Sequence, residues 1–137
     1  MALTYSKEMK LGAASPAFSL MGVDEKTYTL ENFKDNKALL IIFMCNHCPY
    51  VVATQGRINA LAKEYGSQGL ALVGVNSNDA FSYPEDSLEE MKTRAKEEGF
   101  VFPYLYDKTQ SVAKAYNAAC TPDPYLFEKV GDKFLLR

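Results

Sequence analysis

Residues 38–44 read Ala-Leu-Leu-Ile-Ile-Phe-Met, an apolar run without a polar break, and the next four are Cys45, Asn46, His47 and Cys48. Branched and aromatic residues without alternation predict a strand buried on both faces of a sheet. The run is far too short to cross a bilayer. Beyond the motif, Val51, Ile58, Leu61, Ala62 and Tyr65 recur at helical spacing. Pro49 falls in the first turn of that helix, where a missing N–H costs little, and Gly66 is placed for its C-cap. A strand, a cysteine pair and a helix therefore follow one another directly.

The rest of the chain extends this pattern. Residues 15–30 predict two short strands around a polar turn at Asp24, Glu25 and Lys26. Residues 69–77 predict a second buried strand. Residues 87–99 predict a helix: Ser87 and Glu90 have capping-box spacing, Leu88, Met91 and Ala95 form one stripe, and Gly99 ends it. Tyr83 and Pro84 shape its start. A short strand is expected over residues 102–107. A short helix follows over 108–117, with Val112, Ala115 and Tyr116 inward. A hairpin over 124–137 turns at Gly131 and Asp132. The order β-β-β-α-β-α-β-α-β-β implies an α/β fold, one central sheet covered on both faces. Residues 1–137 read as a single domain. Its last strand coincides with the end of the chain, where such a sheet normally has one more helix. The expectation is a domain lacking its C-terminal helix, with a longer gene product favoured over a covering partner.

Charge narrows the function. The chain has 15 Lys and Arg against 17 Asp and Glu, interspersed, for a net charge of -2. That balance argues against nucleic acid and against a basic membrane-surface protein. The N-terminus shows no basic region followed by an apolar stretch, so a cytoplasmic protein is expected if Met1 is the true start. Three cysteines do not make a disulfide framework. In a reducing compartment a close pair is catalytic or metal-binding.

A thiol reacts as its thiolate. At the junction of strand and helix, free N–H groups and the helix dipole stabilise an anion. Cys45 is thus expected to be the exposed attacker, with Cys48 as resolving thiol one turn on. Asn46 and His47 tune the pair. A protonated His47 would lower the Cys45 pKa toward the lower half of the roughly 3.5 to 7.5 range seen in Cys-X-X-Cys motifs. Stabilising the thiolate makes the disulfide a stronger oxidant. Two other readings compete. Zinc wants four ligands, whereas this motif supplies two and only Cys120 remains, so no metal is expected. A helix start at a strand end is a poor place for an inert buried pair.

The residues at this point resemble a known family. "FMCNHCPY", with the strand before it and the helix after it, is similar to the active-site segment of the thioredoxin superfamily. "KLGAASPAFSL" resembles the N-terminal segment of its redoxin branch, shared by peroxiredoxins and thiol–disulfide oxidoreductases and related to the alkyl hydroperoxide reductase and thiol-specific antioxidant group. "DSLEEMKTRAKEEGFVFPYLYD" fits that branch's helix–strand insertion, and "CTPDPYLF" resembles its cis-proline loop. The resemblance runs from about residue 10 to the end. It implies a thioredoxin-like fold with a mixed sheet, no cofactor, and a role in cell redox homeostasis. Thr121 and Pro122 would form a cis bond facing Cys45 and position a substrate segment. The plain alternative is a turn, since Thr-Pro-Asp-Pro is turn-rich. Cys120 would lie near the pair, as a third thiol or as a small packing group. The partners implied are a protein or small-molecule thiol or disulfide and an electron-donor reductase.

Two departures stand out. Peroxiredoxins place a proline and a hydroxyl residue upstream of their reactive cysteine, but Ala38 and Ile42 stand there for Cys45. Thioredoxins bury an acid in the strand before the motif, and residues 38–44 contain none. His47 or water is left as the base. The first reading is a thiol–disulfide oxidoreductase working through Cys45 and Cys48. The alternatives are a peroxiredoxin-like peroxidase, and a redox sensor or metal-delivery module holding Cu(I).

Overall fold

A computed structural model describes residues 10–46, 49–78, 82–118 and 122–137. Among these, the strands are β1 (Ser19–Gly22), β2 (Thr27–Thr29), β3 (Ala38–Phe43), β4 (Leu70–Asn76), β5 (Tyr104–Tyr106), β6 (Asp123–Val130) and β7 (Lys133–Leu136). The α-helices are α1 (Pro49–Tyr65), α2 (Leu88–Glu98) and α3 (Ser111–Ala115). The sheet runs β2-β1-β5-β4-β3-β6-β7. β3, β4 and β5 are parallel, whereas β1, β6 and β7 pair antiparallel, so the sheet is mixed.

The apolar run behaves as its composition demands. With a period of two, Leu39, Ile41 and Phe43 enter one core cluster while Ile42 and Met44 enter the other. The first cluster lies under α3. Val112 and Tyr116 pack there with Phe127, and Tyr116 meets Phe43 at 5.6 Å between ring centroids. The second lies under α1 and α2, through Val51, Ile58 and Met91. Helices thus cover both faces. On α1, buried Asn59 ties down the link from α2 to β5: it donates to the Gly99 carbonyl (2.9 Å) and accepts from the Val101 N–H (2.8 Å).

Local signals hold with two changes, one of them Ala115, which was expected to face inward on α3 and is exposed. The Ser87 side chain caps α2 by accepting from the Glu90 N–H, and Gly99 ends it at φ 62°. The hairpin turns at Gly131, also left-handed at φ 64°. Gly66, however, does not cap α1. The chain continues through a 3-10 turn, Gly66–Gln68, and the left-handed residue is Gly69 at φ 99°. A Cβ at Gly66 would meet nothing, whereas one at Gly69 would press on the Lys37 side chain at 3.0 Å. At mid-strand, Gly74 is constrained from the side: a Cβ there would lie 2.7 Å from the Met44 sulfur and 3.2 Å from the Tyr104 ring.

Candidate active site

Because β3, β4 and β5 are parallel, their carboxyl ends share one edge of the sheet, and that edge is where ligands meet open α/β sheets. Cys45 is there. The strand continues past Phe43, with the Met44 N–H bonded to the Val75 carbonyl at 2.9 Å. This continuation draws Cys45 into the core beside Val51, Met91 and Tyr104. The expectation of an exposed attacker is corrected: Cys45 is 1% exposed. α1 begins at Pro49, which is its first residue, as the proline's missing N–H favours. β6 runs antiparallel with Asp123 opposite Phe43, so Pro122, just before it, stands at the same edge. His47, Cys48, Cys120 and Thr121 lie outside the described residues, and with them the expected cis bond. So does Phe81.

Asn46 is held more tightly than its place in a short loop suggests. Its backbone N–H donates to Asp86 Oδ1 at 2.5 Å, and its side-chain NH2 donates to the Glu85 carbonyl at 2.7 Å. Its amide oxygen accepts from the Tyr104 hydroxyl at 2.9 Å. Asp86 closes the 3-10 turn Pro84–Asp86 that leads into α2 and is fully buried. Besides Asn46 it accepts from Asn76 Nδ2 (3.2 Å) on β4 and from Asn78 Nδ2 (3.1 Å) just past it. Burial without such partners would cost several kcal/mol for a charged group, roughly, so the amides are required by the acid. The Tyr104 hydroxyl is pushed above its ordinary value, first by burial and then by the charges of Asp86 and Cys45. It therefore stays a donor to Asn46.

Sequence reading found Cys45 and Asn46 but missed Asp86, taking Tyr83 and Pro84 only as shapers of the next helix. The missing strand acid is thus matched by one arriving from 40 residues away. One signal was present: amides at 46, 76 and 78, at the ends of two predicted buried strands, which pair in the structure. Among the described residues, Tyr50, Val52 and Tyr83 are exposed large apolar or aromatic side chains near this edge.

Sheet order, flanking helices and a cysteine motif at the end of the parallel strand β3 define a thioredoxin-like fold. The chain belongs to the AhpC/TSA family, whose model matches residues 11–132. Two solved structures are similar in sequence as well as shape. An uncharacterised conserved protein of Geobacillus kaustophilus is 48% identical with a TM-score of 0.92, over 98% of this chain and 71% of that one. A hypothetical protein of Sinorhizobium meliloti is 43% identical with a TM-score of 0.90, over 94% and 70%. The thioredoxin domain of a thiol-disulfide oxidoreductase from Bacteroides vulgatus shares the fold at 16% identity, with a TM-score of 0.76 over 95% of this chain and 89% of that domain. No curated protein matches the chain. Family and fold together point to an oxidoreductase.

Proposed function

We propose that this protein is a thiol–disulfide oxidoreductase working through Cys45 and Cys48. The observation that supports this best is Cys45 at the carboxyl end of β3, with the next residue, Asn46, fixed by Asp86 through its backbone and by Glu85 and Tyr104 through its side chain. In the reducing direction the Cys45 thiolate attacks one sulfur of a substrate disulfide. The substrate S–S bond breaks, one substrate thiolate leaves and takes up a proton, and a mixed disulfide remains. Cys48 then loses its proton and attacks the Cys45 sulfur, which releases the second substrate thiol. Two electrons and two protons pass to the substrate, and a Cys45–Cys48 disulfide forms. A reductase dithiol restores the pair. His47 assists ionisation, and Thr121 and Pro122 position the substrate segment.

The exposed Tyr50, Val52 and Tyr83 favour a protein substrate docking by apolar contact. The reaction belongs in the cytoplasm and uses no cofactor. Cys45→Ser and Cys48→Ser, assayed on a protein disulfide with a dithiol donor, test the reading. Loss of turnover in Cys45→Ser and a trapped mixed disulfide in Cys48→Ser are expected. Turnover retained in Cys45→Ser would contradict it.

Family membership favours one second reading, reduction of a hydroperoxide. The Cys45 thiolate would attack the terminal oxygen, break the O–O bond, release an alcohol or water, and become a sulfenic acid. Ile42, standing where a hydroxyl would orient the peroxide, counts against it.

A further inference from the structure

A cavity of about 310 Å³ opens at the amino end of β5, the edge of the sheet opposite to Cys45. The turn from β1 to β2 reaches it with Asp24 and Tyr28, and the link from α2 to β5 reaches it with Phe100, Val101 and Phe102. Phe100 and Phe102 stack at 4.6 Å between ring centroids, and Phe100 meets the Tyr104 ring at 5.7 Å in a T-shaped contact. Val101 is 55% exposed, at the open side. Among the described residues, Asp24 is the one charged group in this aromatic lining.

The Asp24 carboxylate is held in place. Its Oδ2 accepts from the Tyr28 hydroxyl at 2.6 Å and its Oδ1 from the Lys26 N–H at 3.1 Å. A Cβ at Gly22 would lie 2.8 Å from Asp24 Oδ1 and 3.0 Å from the Tyr28 ring, so glycine is what lets the carboxylate fold back this far. Burial acts to raise the Asp24 pKa, but the hydrogen bonds from Tyr28 and Lys26 hold it below the usual carboxylate value, so the group is charged at neutral pH. Among the described residues no Lys or Arg forms an ion pair with it; Lys92 pairs instead with Glu25 at 3.2 Å and Glu89 at 3.6 Å. A fixed anion without a counter-cation thus stands beside a cavity lined by aromatic rings.

We propose that this cavity binds a small organic cation of the trimethylammonium class, its methyl groups against Phe100, Phe102 and Tyr28 and its charge met by Asp24. Aromatic rings attract such a cation through their faces, and a cation without N–H groups asks for no hydrogen bonds. A primary ammonium is strongly hydrated and needs acceptors, yet both Asp24 oxygens already accept one bond each. The volume stands at the small end of the roughly 300–1,000 Å³ of ligand pockets, which suits a ligand of few heavy atoms. The inference goes beyond the oxidoreductase reading. Binding is read without thiol chemistry, so the two stand or fall separately.

The test is a titration of the whole chain with choline, followed by amide NMR spectra. A parallel titration uses its neutral isostere, in which a tert-butyl group replaces the trimethylammonium group. Saturable shifts are expected at residues 22–28 and 100–104, with the isostere at least about fivefold weaker than choline. Asp24→Asn keeps the shape of the turn and removes the charge. It should weaken choline about fivefold and leave the isostere unchanged. Choline and isostere binding alike would show a merely apolar cavity and overturn the inference, as would the absence of saturable shifts at these residues. Undiminished choline binding in Asp24→Asn would overturn it too. If that variant does not fold, the comparison of choline with its isostere on the wild type decides alone.

Discussion

Asp86 and Asp107 are both fully buried acids at the carboxyl edge of the sheet, and they are used differently. Asp107 follows β5 and serves the fold. Its Oδ2 accepts from the Ser77 hydroxyl at 2.7 Å and from the Ala113 N–H at 3.0 Å in the first turn of α3. Its own N–H joins the Asn76 carbonyl at 2.9 Å. Asp86 also ties elements together, but one of its bonds goes to the peptide after Cys45. A buried carboxylate can thus fix a helix start or fix the peptide that follows a cysteine. The partner decides which, and burial alone does not.

The largest effect expected from breaking this comparison is on stability. Asp107→Ala strands the half-buried Ser77 hydroxyl and Ala113 N–H, and about 1–3 kcal/mol should be lost in all. Thermal unfolding should show the loss, while the glutathione equilibrium of the folded fraction stays at the wild-type value. A shifted equilibrium would erase the distinction between the two acids.

Packing near Cys45 offers a control for charge. Gly74→Ala drives a methyl toward the Met44 sulfur and should destabilise the fold by about 1–3 kcal/mol through overpacking. Denaturant unfolding checks this. The Cys45 alkylation midpoint should move little, because no charge changes. A clear shift of the midpoint would mean that strain at residue 44 reaches the thiol.

Tyr104→Phe sharpens the comparison further. It removes the hydroxyl that donates to Asn46 and leaves that amide oxygen short of a partner. About 1 kcal/mol of stability should be lost, read by thermal unfolding.

The smallest expected effect concerns the other tyrosines. Tyr28 is raised to about 12, first by its hydrogen bond to Asp24 and then by burial, and Tyr116 is raised to about 12 by burial. A raised tyrosine pKa means that the folded state favours the neutral form. The associated stability is therefore present below pH 10, where free tyrosine titrates, and is lost as pH rises toward about 12. Ultraviolet titration should show at least Tyr28, Tyr104 and Tyr116 ionising later than the rest; simultaneous ionisation would contradict the burial assigned to them.

Much of this architecture was legible because it rests on local patterns. The run at 38–44, the Ser87 and Gly99 caps and the Gly131 turn each specify their element from neighbouring residues. Gly66 misled because two glycines lie close together, and what decides between them is Lys37, a long-range neighbour of Gly69. Cys45 announced itself by composition. Its burial did not, since that depends on β3 continuing beside β4 for one further residue. Asp86 was hidden for the same reason: within its segment it is one acid among several, and only the fold brings it to Asn46.

The measurement that tests the account most directly is the equilibrium of the wild-type protein with glutathione, read as the disulfide state of Cys45 by mass spectrometry. The account predicts one two-electron transition, with a Cys45–Cys48 disulfide as the oxidised species. A Cys45 that forms no disulfide under any glutathione ratio, and oxidises only with peroxide to sulfenic or sulfinic acid, would contradict it.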